Sequence, residues 1–548
     1  MCRQPSQLPC RNQKTGCKGE ENDMKKAFKW LAALCAVLAV AAAFTFGAGR
    51  AAAAGSKLDL SKMQIVLPAE ATAVEQSAAA ELNVYLEKMT GSTLPIVPEG
   101  QSISGKAVYI GATQFAAGNT VAYPTDGDEF GEGWAIRAVD GNLVLTGAPT
   151  RGVLYAVYHL LEDGLGVRWW TPWDEDIPTG GSAEVAADYN DSGLPAFEYR
   201  DVFIGVENKD SLYFVRNRVN GFTVNASAAY GGEEDYGYPA HTHTFNRYFP
   251  PYYGTADMSR AFEEYMNPTH ENYFETHPEW FALKNGERIP NGQLCLTNVK
   301  EVFKQKLLQS IEYSYAEADA EGRARPRYFS VVPNDSDGFC ECESCTVVRS
   351  EYGLAGELLL FVNDMAAAVK MQYHEVLIEM PAYWHYIDAP EKVVPADNVE
   401  VRFAANATDL LHDLNHANNA HTLEQLQKWA ALCNTSADKS YENRLYFWQY
   451  VVNYNNNGIF PSMYHYGNDF ALCQSAGVDG WFAEQESCIN TDFWDMKLWL
   501  ITKQMENPVS GSEYQALMDE FLNGYYGAAG PYVKQYLDYM HEKAEAYD

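Results

Sequence analysis

Residues 327–345, RYFSVVPNDSDGFCECESC, decide how this chain is read. An apolar, β-rich run from Tyr328 to Val332 stops at Pro333 and delivers Asn334 and Asp335 to the end of a strand. Carboxylates at the C-terminal ends of parallel strands are where β/α barrels keep their chemistry. Three cysteines, Cys340, Cys342 and Cys345, follow at once in C-x-C-x-x-C spacing. Far downstream, GVDGWFAEQES brings Glu484 and Glu486 to a second strand end of the same kind. Two acids at two strand ends suit cleavage of a glycosidic bond. One carboxyl protonates the leaving oxygen and the other acts as base or nucleophile.

Outward from this stretch the pattern alternates strand and helix. Strands are expected at residues 199–205, 221–226, 241–245, 328–333, 375–381, 399–404, 445–452 and 477–483. Helices are clearest at 299–318, 354–372, 422–433 and 464–476. Eight strands with intervening helices predict an α/β fold of the (β/α)8 TIM-barrel type over residues 191–498. Residues 228–298 form a long aromatic-rich excursion of the kind that walls a cleft. Ahead of it, residues 57–190 read as a small α/β domain with helices at 73–90 and 151–161 and a hairpin around Asp140-Gly141. Residues 499–548 read as a helical C-terminal segment divided at NGYYGAAGP.

Residues 1–54 are expected to be an upstream extension and a signal peptide. Met24, Lys25 and Lys26 open a basic region, an uncharged apolar run covers Leu31 to Phe46, and small residues Ala51 to Ala54 offer a cleavage site. The apolar run is short for a spanning helix, which needs about 20 residues. The chain is therefore read as secreted, extracellular or surface-associated, with no stable membrane insertion after cleavage. Its net charge is −33, and such a field repels nucleic acid and anionic membranes. The sequence leaves oligomeric state open and calls for no cofactor. With 12 Trp, 36 Tyr and 25 Phe, it has ample flat surface for stacking sugar rings.

Each candidate residue carries a structural alternative. Asp335 reads as general acid, or as a brace in the N-D-S-D-G turn. Glu484 is its partner, with Glu486 in reserve on the same strand face. Glu379 lies inside the strand LIEMPAYW, where it is either a second base or a salt-bridge partner. His241 and His243, two apart on an expected strand, read as sugar-hydroxyl contacts, as structural histidines, or as the metal ligands of a metal-dependent hydrolase. Trp280, Tyr383, Trp384 and Trp448 are ring-stacking or core residues, and Asn334 sits beside the acid. Arg200, Arg216 and Arg218 cluster near the first strand, where one could hold a substrate carboxylate or pair with acids. Seven cysteines follow the signal: Cys295, Cys340, Cys342, Cys345, Cys433, Cys473 and Cys488. The C-x-C-x-x-C group reads as a disulfide such as Cys340–Cys345, as a structural metal site needing Cys295 or a His as fourth ligand, or as free thiols.

AAAELNVYLEKMTGSTLPIV (78–97), VYIGAT and RGVLYAVYHLLEDGLGVRWWTP resemble the domain that precedes the barrel in α-glucuronidases of glycoside hydrolase family 67. A related domain precedes the barrel of family 20 hexosaminidases. HTHTF, HPEWFALKNGER, QLCLTN, PNDSDGFCECESC, PAYWHY, GWFAEQE and EFLNGYYGAAG look like the bacterial domain-of-unknown-function family 4838, which is regarded as glycosidase-like. Together the resemblances span roughly residues 60–545 and imply a glycosidase, α-glucuronidase-like or hexosaminidase-like, that takes a carbohydrate substrate. The sequence departs at Asn334-Asp335, where family 20 enzymes carry Asp-Glu, and at Gln449, where relatives often carry an acid. The expected chemistry is exo-acting and inverting, with Asp335 as acid and Glu484 as base. The alternative class is a non-catalytic carbohydrate-binding barrel.

Overall fold

The N-terminal layer is built on strong local signals. Strand β1 (Gln64–Leu67) leads into helix α1 (Ala73–Thr90). Thr72 caps that helix by accepting from the Glu75 N–H, while the Glu75 carboxylate accepts from the Thr72 N–H at 2.8 Å. Gly91 stops it at φ +79°, a left-handed position that favours glycine. After β2 (Ile96–Pro98) and β3 (Ala107–Ile110), the hairpin β4 (Trp134–Val139)/β5 (Asn142–Gly147) turns at Asp140-Gly141. Helix α2 (Gly152–His159) and strand β6 (Asn190–Gly193) complete a six-stranded mixed sheet in the order β6-β4-β5-β3-β1-β2. One face of the sheet shares the main core with α1 and α2, and the other closes over a smaller cluster around Val66, Tyr109 and Val144.

The computed structural model describes residues 56–204, 211–433, 444–451, 458–485 and 492–546. Residues 1–55, Glu486 and Cys488 lie outside them. Within the single compact unit Lys57–Asp548, a second sheet holds six parallel strands. They are β7 (Tyr199–Phe203), β8 (Tyr328–Ser330), β9 (Leu377–Tyr383), β10 (Val399–Ala404), β11 (Arg444–Tyr450) and β12 (Gly480–Glu484). Their order is β7-β12-β11-β10-β9-β8. Helix α3 (Leu296–Glu321) precedes β8, and α4 (Glu343–Lys370), α5 (Ala420–Cys433) and α6 (Tyr466–Ala476) link the strands that follow. Helices α7 (Trp494–Glu506), α8 (Gly511–Tyr526) and α9 (Gly530–Glu545) form the C-terminal segment, with Trp499 and Phe521 packed on Trp170.

The sheet is curled. Tyr199 on one edge strand and Tyr328 on the other have ring centroids 5.6 Å apart, and Tyr236 and Tyr446 complete the layer. The inward position beside Tyr446 is Gly480, where a Cβ would come within 2.6 Å of that ring. This is a curled parallel sheet and not the expected eight-stranded barrel, because two expected strands are absent. Residues 221–226 contribute one isolated bridge, Gly221 to Glu234. There Thr223 Oγ1 donates to Asp201 and to the Val202 carbonyl, a local side-chain bond in place of a ladder. Residues 241–245 are irregular because His243 takes φ +48° and Thr244 stands at the N-cap position of the turn Phe245–Tyr248, its hydroxyl donating to the Ser330 carbonyl at 2.9 Å. Single backbone bonds cross the gap, Gly221 N–H to Arg200 O and Gly237 N–H to Tyr328 O, both 2.9 Å.

A buried ionic network joins the two sheets. Arg200 pairs with Glu132 at 2.8 Å, and Arg218 with Glu162 at 2.5 Å and Glu506 at 2.6 Å. The Arg218 guanidinium holds both carboxyls below the usual range against the pull of burial, Glu162 at about 2. Arg218→Ala removes the cation shared by both acids and leaves Glu162 with Lys503 and Glu506 with His159. Breaking a buried pair in this way costs about 3–5 kcal/mol, a loss that urea unfolding at neutral pH will show. His159 stacks on Trp134 and meets Glu506 at 2.7 Å and Asp163 at 2.8 Å. Burial opposes its charge, but the two carboxylates raise its pKa from 6.5 to about 9. Because the folded value lies above the unfolded one, this stabilisation is complete below about pH 6.5 and is lost as pH rises through 9. The thermal midpoint should fall over that window, and His159→Gln should flatten that part of the profile.

Candidate active site

The C-terminal ends of the parallel strands surround a cavity of about 470 Å³. Inward positions alternate along each strand, so β9, β10, β11 and β12 each supply residues two apart. Glu379, Pro381 and Tyr383 come from β9, Arg402 and Ala404 from β10, Trp448 and Tyr450 from β11, Phe482 and Glu484 from β12, and Phe203 from β7. Val332 and Asp335 follow β8, and His241, Thr242 and His243 come from the irregular segment. The final residues of β7, β11 and β12 form one row, in which Glu484 is the register partner of both Phe203 and Tyr450.

Glu484 is 9% exposed, and its Oε2 accepts from Trp448 Nε1 at 2.8 Å. Asp335 is exposed on the opposite side, where the Tyr383 hydroxyl reaches its Oδ1 at 3.5 Å. Burial, Asp335 and Glu484 together raise the Tyr383 phenol to about 12, so it stays a donor. In the sheet order, β12 and β8 stand four strands apart, so the two acids reach the cavity from separate strands. Trp448 and Phe482, with centroids 4.3 Å apart, give the cavity an aromatic wall.

The floor is ionic. Arg402 is 1% exposed and lies between Glu400 at 3.4 Å and Glu379 at 3.7 Å, both also buried. Its Nη2 donates to the Tyr236 hydroxyl, and its guanidinium lies 5.3–5.9 Å from the rings of Tyr199, Tyr236, Tyr446 and Phe482. Burial drives both glutamates up against the pull of Arg402, Glu400 to about 8. Two buried acids face one cation, so burial favours the protonated form of each while Arg402 opposes it. Glu379 is thus a salt-bridge partner that also lines the floor. Burial and Arg402 push the His241 imidazole well below its ordinary pKa, and it sits neutral against Phe222 and Trp448.

Several expected residues lie elsewhere. Arg200 points away from the cavity, with its guanidinium spent on Glu132, Tyr155 and backbone carbonyls. Trp280 stacks on His277 and packs with Phe249 and Tyr273, outside the cavity. Asn334 uses its amide internally, accepting from Asn246 N–H and donating to Asn246 Oδ1 and Gly292 O, each at 2.9 Å. Trp384, at φ +48°, is 42% exposed beside His385 and does not line the cavity. His241 and His243 both line it, but not as a strand pair, since His243 turns back to the Pro333 carbonyl at 3.1 Å. The sequence reading missed Arg402, Glu400, Tyr450 and Phe482. The signal was present in VEVRFA, where two charges two residues apart interrupt an apolar strand.

The solved structures similar to this chain include glycosidases. A family GH115 4-O-methyl-α-glucuronidase, BtGH115A, described as specific for decorated arabinogalactans, superposes with a TM-score of 0.50 at 10% identity over 86% of this chain. The match covers 59% of the length of that enzyme. CpGH84B gives a TM-score of 0.47 at 12% identity over 88% of this chain and 74% of its own. The Streptomyces plicatus N-acetyl-β-hexosaminidase gives 0.43 at 12% identity over 87% of this chain and 93% of its own. No curated protein matches the sequence significantly. The likeness to the glucuronidase establishes a glycoside hydrolase-type fold. The family 67 glycosyl hydrolase N-terminus model matches residues 52–160. The model described as a domain of unknown function, DUF4838, matches residues 169–538, and the chain belongs to that family.

Proposed function

We propose that this protein is an exported glycoside hydrolase that removes a terminal sugar with inversion, Asp335 acting as general acid and Glu484 as general base. The observation that supports the reading is that Asp335 and Glu484 line one aromatic cavity and follow strands four apart in the sheet order. Inverting enzymes hold their carboxyls about 6.5–9.5 Å apart, against about 5–5.5 Å in retaining ones, to leave room for a water. Acids four strands apart suit the wider spacing, as does the shortness of an aspartate side chain. Trp448 orients the Glu484 carboxylate, and the Tyr383 hydroxyl meets Asp335. Trp448, Phe482 and Tyr450 offer faces for the apolar side of a pyranose. The floor of Arg402 and Glu379 ends the cavity, which favours a chain terminus over an internal bond. Arg402 is the one guanidinium or ammonium among the described lining residues, and Glu379 and Glu400 already flank it, so both uronic acid and N-acetylhexosamine termini belong in the test.

A panel of uronic acid- and N-acetylhexosamine-capped oligosaccharides, with their aryl glycosides, tests the reading. Asp335→Asn should cut turnover on natural linkages by about 10²–10⁴-fold while leaving binding intact. It should spare aryl glycosides, whose leaving groups need little protonation. Glu484→Gln should lose both classes of substrate. Binding without turnover across the panel would leave a carbohydrate-binding protein and sink the catalytic proposal. Proton NMR of the first-formed anomer should show the configuration opposite to that of the substrate. Retention of configuration would make Glu484 a nucleophile.

A further inference from the structure

We propose that Cys295, Cys340, Cys342 and Cys345 form a tetrathiolate zinc site that clasps the loop carrying Asp335. The four sulfurs lie within 4.8 Å of one another, with Cys295 Sγ 3.7 Å from Cys342 Sγ and 3.8 Å from Cys345 Sγ. A tetrahedron with Zn–S bonds of about 2.3 Å has sulfur–sulfur edges of about 3.8 Å. A disulfide needs about 2.05 Å, and none of the four is bonded in that way. Cys295, Cys340 and Cys345 are buried and Cys342 is half-buried, so the cluster is shielded yet keeps one approach from solvent.

The surroundings suit thiolates rather than thiols. Cys295 occupies the N-cap position of α3, Cys342 that of α4, and Cys345 sits in the first turn of α4. Two positive helix ends therefore face the sulfurs. Cys340 Sγ accepts from the Leu283 N–H at 3.4 Å and lies 3.9 Å from Arg288 Nη1, while Thr297 Oγ1 approaches Cys345 Sγ at 3.3 Å. Such outer partners orient metal-bound sulfur and offset its charge. Zinc would bind the four sulfurs as thiolates, and because the unfolded chain offers no preformed cluster, its binding free energy would add to folding.

The clasp bears on the cavity through Gln293, two residues before Cys295. Its side chain accepts from Asn334 N–H at 3.0 Å and donates to Asn334 O at 2.6 Å and Ser336 O at 2.7 Å. Its own N–H donates to Gly338 O at 3.0 Å. The metal would fix both ends of this crossing, with Asp335 between them. The site itself does not depend on the catalytic reading.

Elemental analysis of untagged protein should find one zinc per chain, and zinc-edge X-ray absorption should find four sulfurs at about 2.3 Å. A mercurial that titrates thiols should release that zinc to a chromophoric chelator. Cys295→Ser and Cys342→Ser should lose the metal, whereas Cys433→Ser and Cys473→Ser should keep it. Should the first two variants not fold, the absorption spectrum and the mercurial release on the unaltered chain decide alone. Chelation should lower the thermal midpoint and speed hydrogen exchange at residues 334–342. Folded protein without metal, a Cys340–Cys345 disulfide found by mass spectrometry, iron in place of zinc, or zinc retained by Cys295→Ser would each overturn the proposal.

Discussion

A guanidinium buried at the centre of the curled sheet sets the terms for everything above it. Arg402 cannot shed its proton, and a lone ion of that size in a dry interior costs several kcal/mol. The fold meets this demand with aromatic faces on several sides and two carboxylates alongside. Tyr236 supplies one of those faces from the irregular segment, and its main chain bridges Tyr328 on the edge strand. The ion therefore helps hold the edges of the sheet together where regular strands are missing. It also makes the cavity floor polar and blind.

The two sides of the cavity are held by different means. Glu484 ends a strand paired on both flanks, and its hydrogen-bond donor Trp448 sits on the neighbouring strand. Backbone register fixes it. Asp335 follows a strand of three residues and sits in a loop, where order comes from side chains. Asn334 spends its whole amide on that task, and Gln293 stitches the loop to the segment before α3.

What the sequence revealed follows from how local the deciding forces are. Helix α1 was legible residue for residue, since its cap, first-turn acid and terminal glycine are all adjacent in the chain. Strand β10 matched its expected bounds because an apolar run between turns has few alternatives. Residues 221–226 and 241–245 misled because Thr, Val, Phe and His carry strand character, whereas Asp201 and a left-handed His243 decide their path. Asp201 lies far away in sequence, and no pattern announces a left-handed His243. Glu484 and Trp448 line the cavity because polar or aromatic residues at the end of an apolar run reach the rim. Arg200 reads equally as a carboxylate-holding residue or a partner of acids from its place in the first strand, and its pairing with Glu132 decides for the second. Trp280 was a fair candidate by composition, but its stacking on His277 is a tertiary outcome.

The difference in support has a chemical consequence. In a two-carboxylate reaction the working distance is a difference of positions, so the softer side sets the error. Register fixes Glu484 to within the tolerance of a β-ladder, whereas the position of Asp335 depends on a few side-chain bonds. A misplacement of about 1 Å can cost about 10²-fold in rate. Selection for function would then fall hardest on the residues that stiffen the Asp335 loop, most of which could never touch a sugar. Under the proposed function and the proposed clasp, the motif PNDSDGFCECESC would carry one acid for the chemistry, one amide to brace it, and cysteines to hold the loop in place.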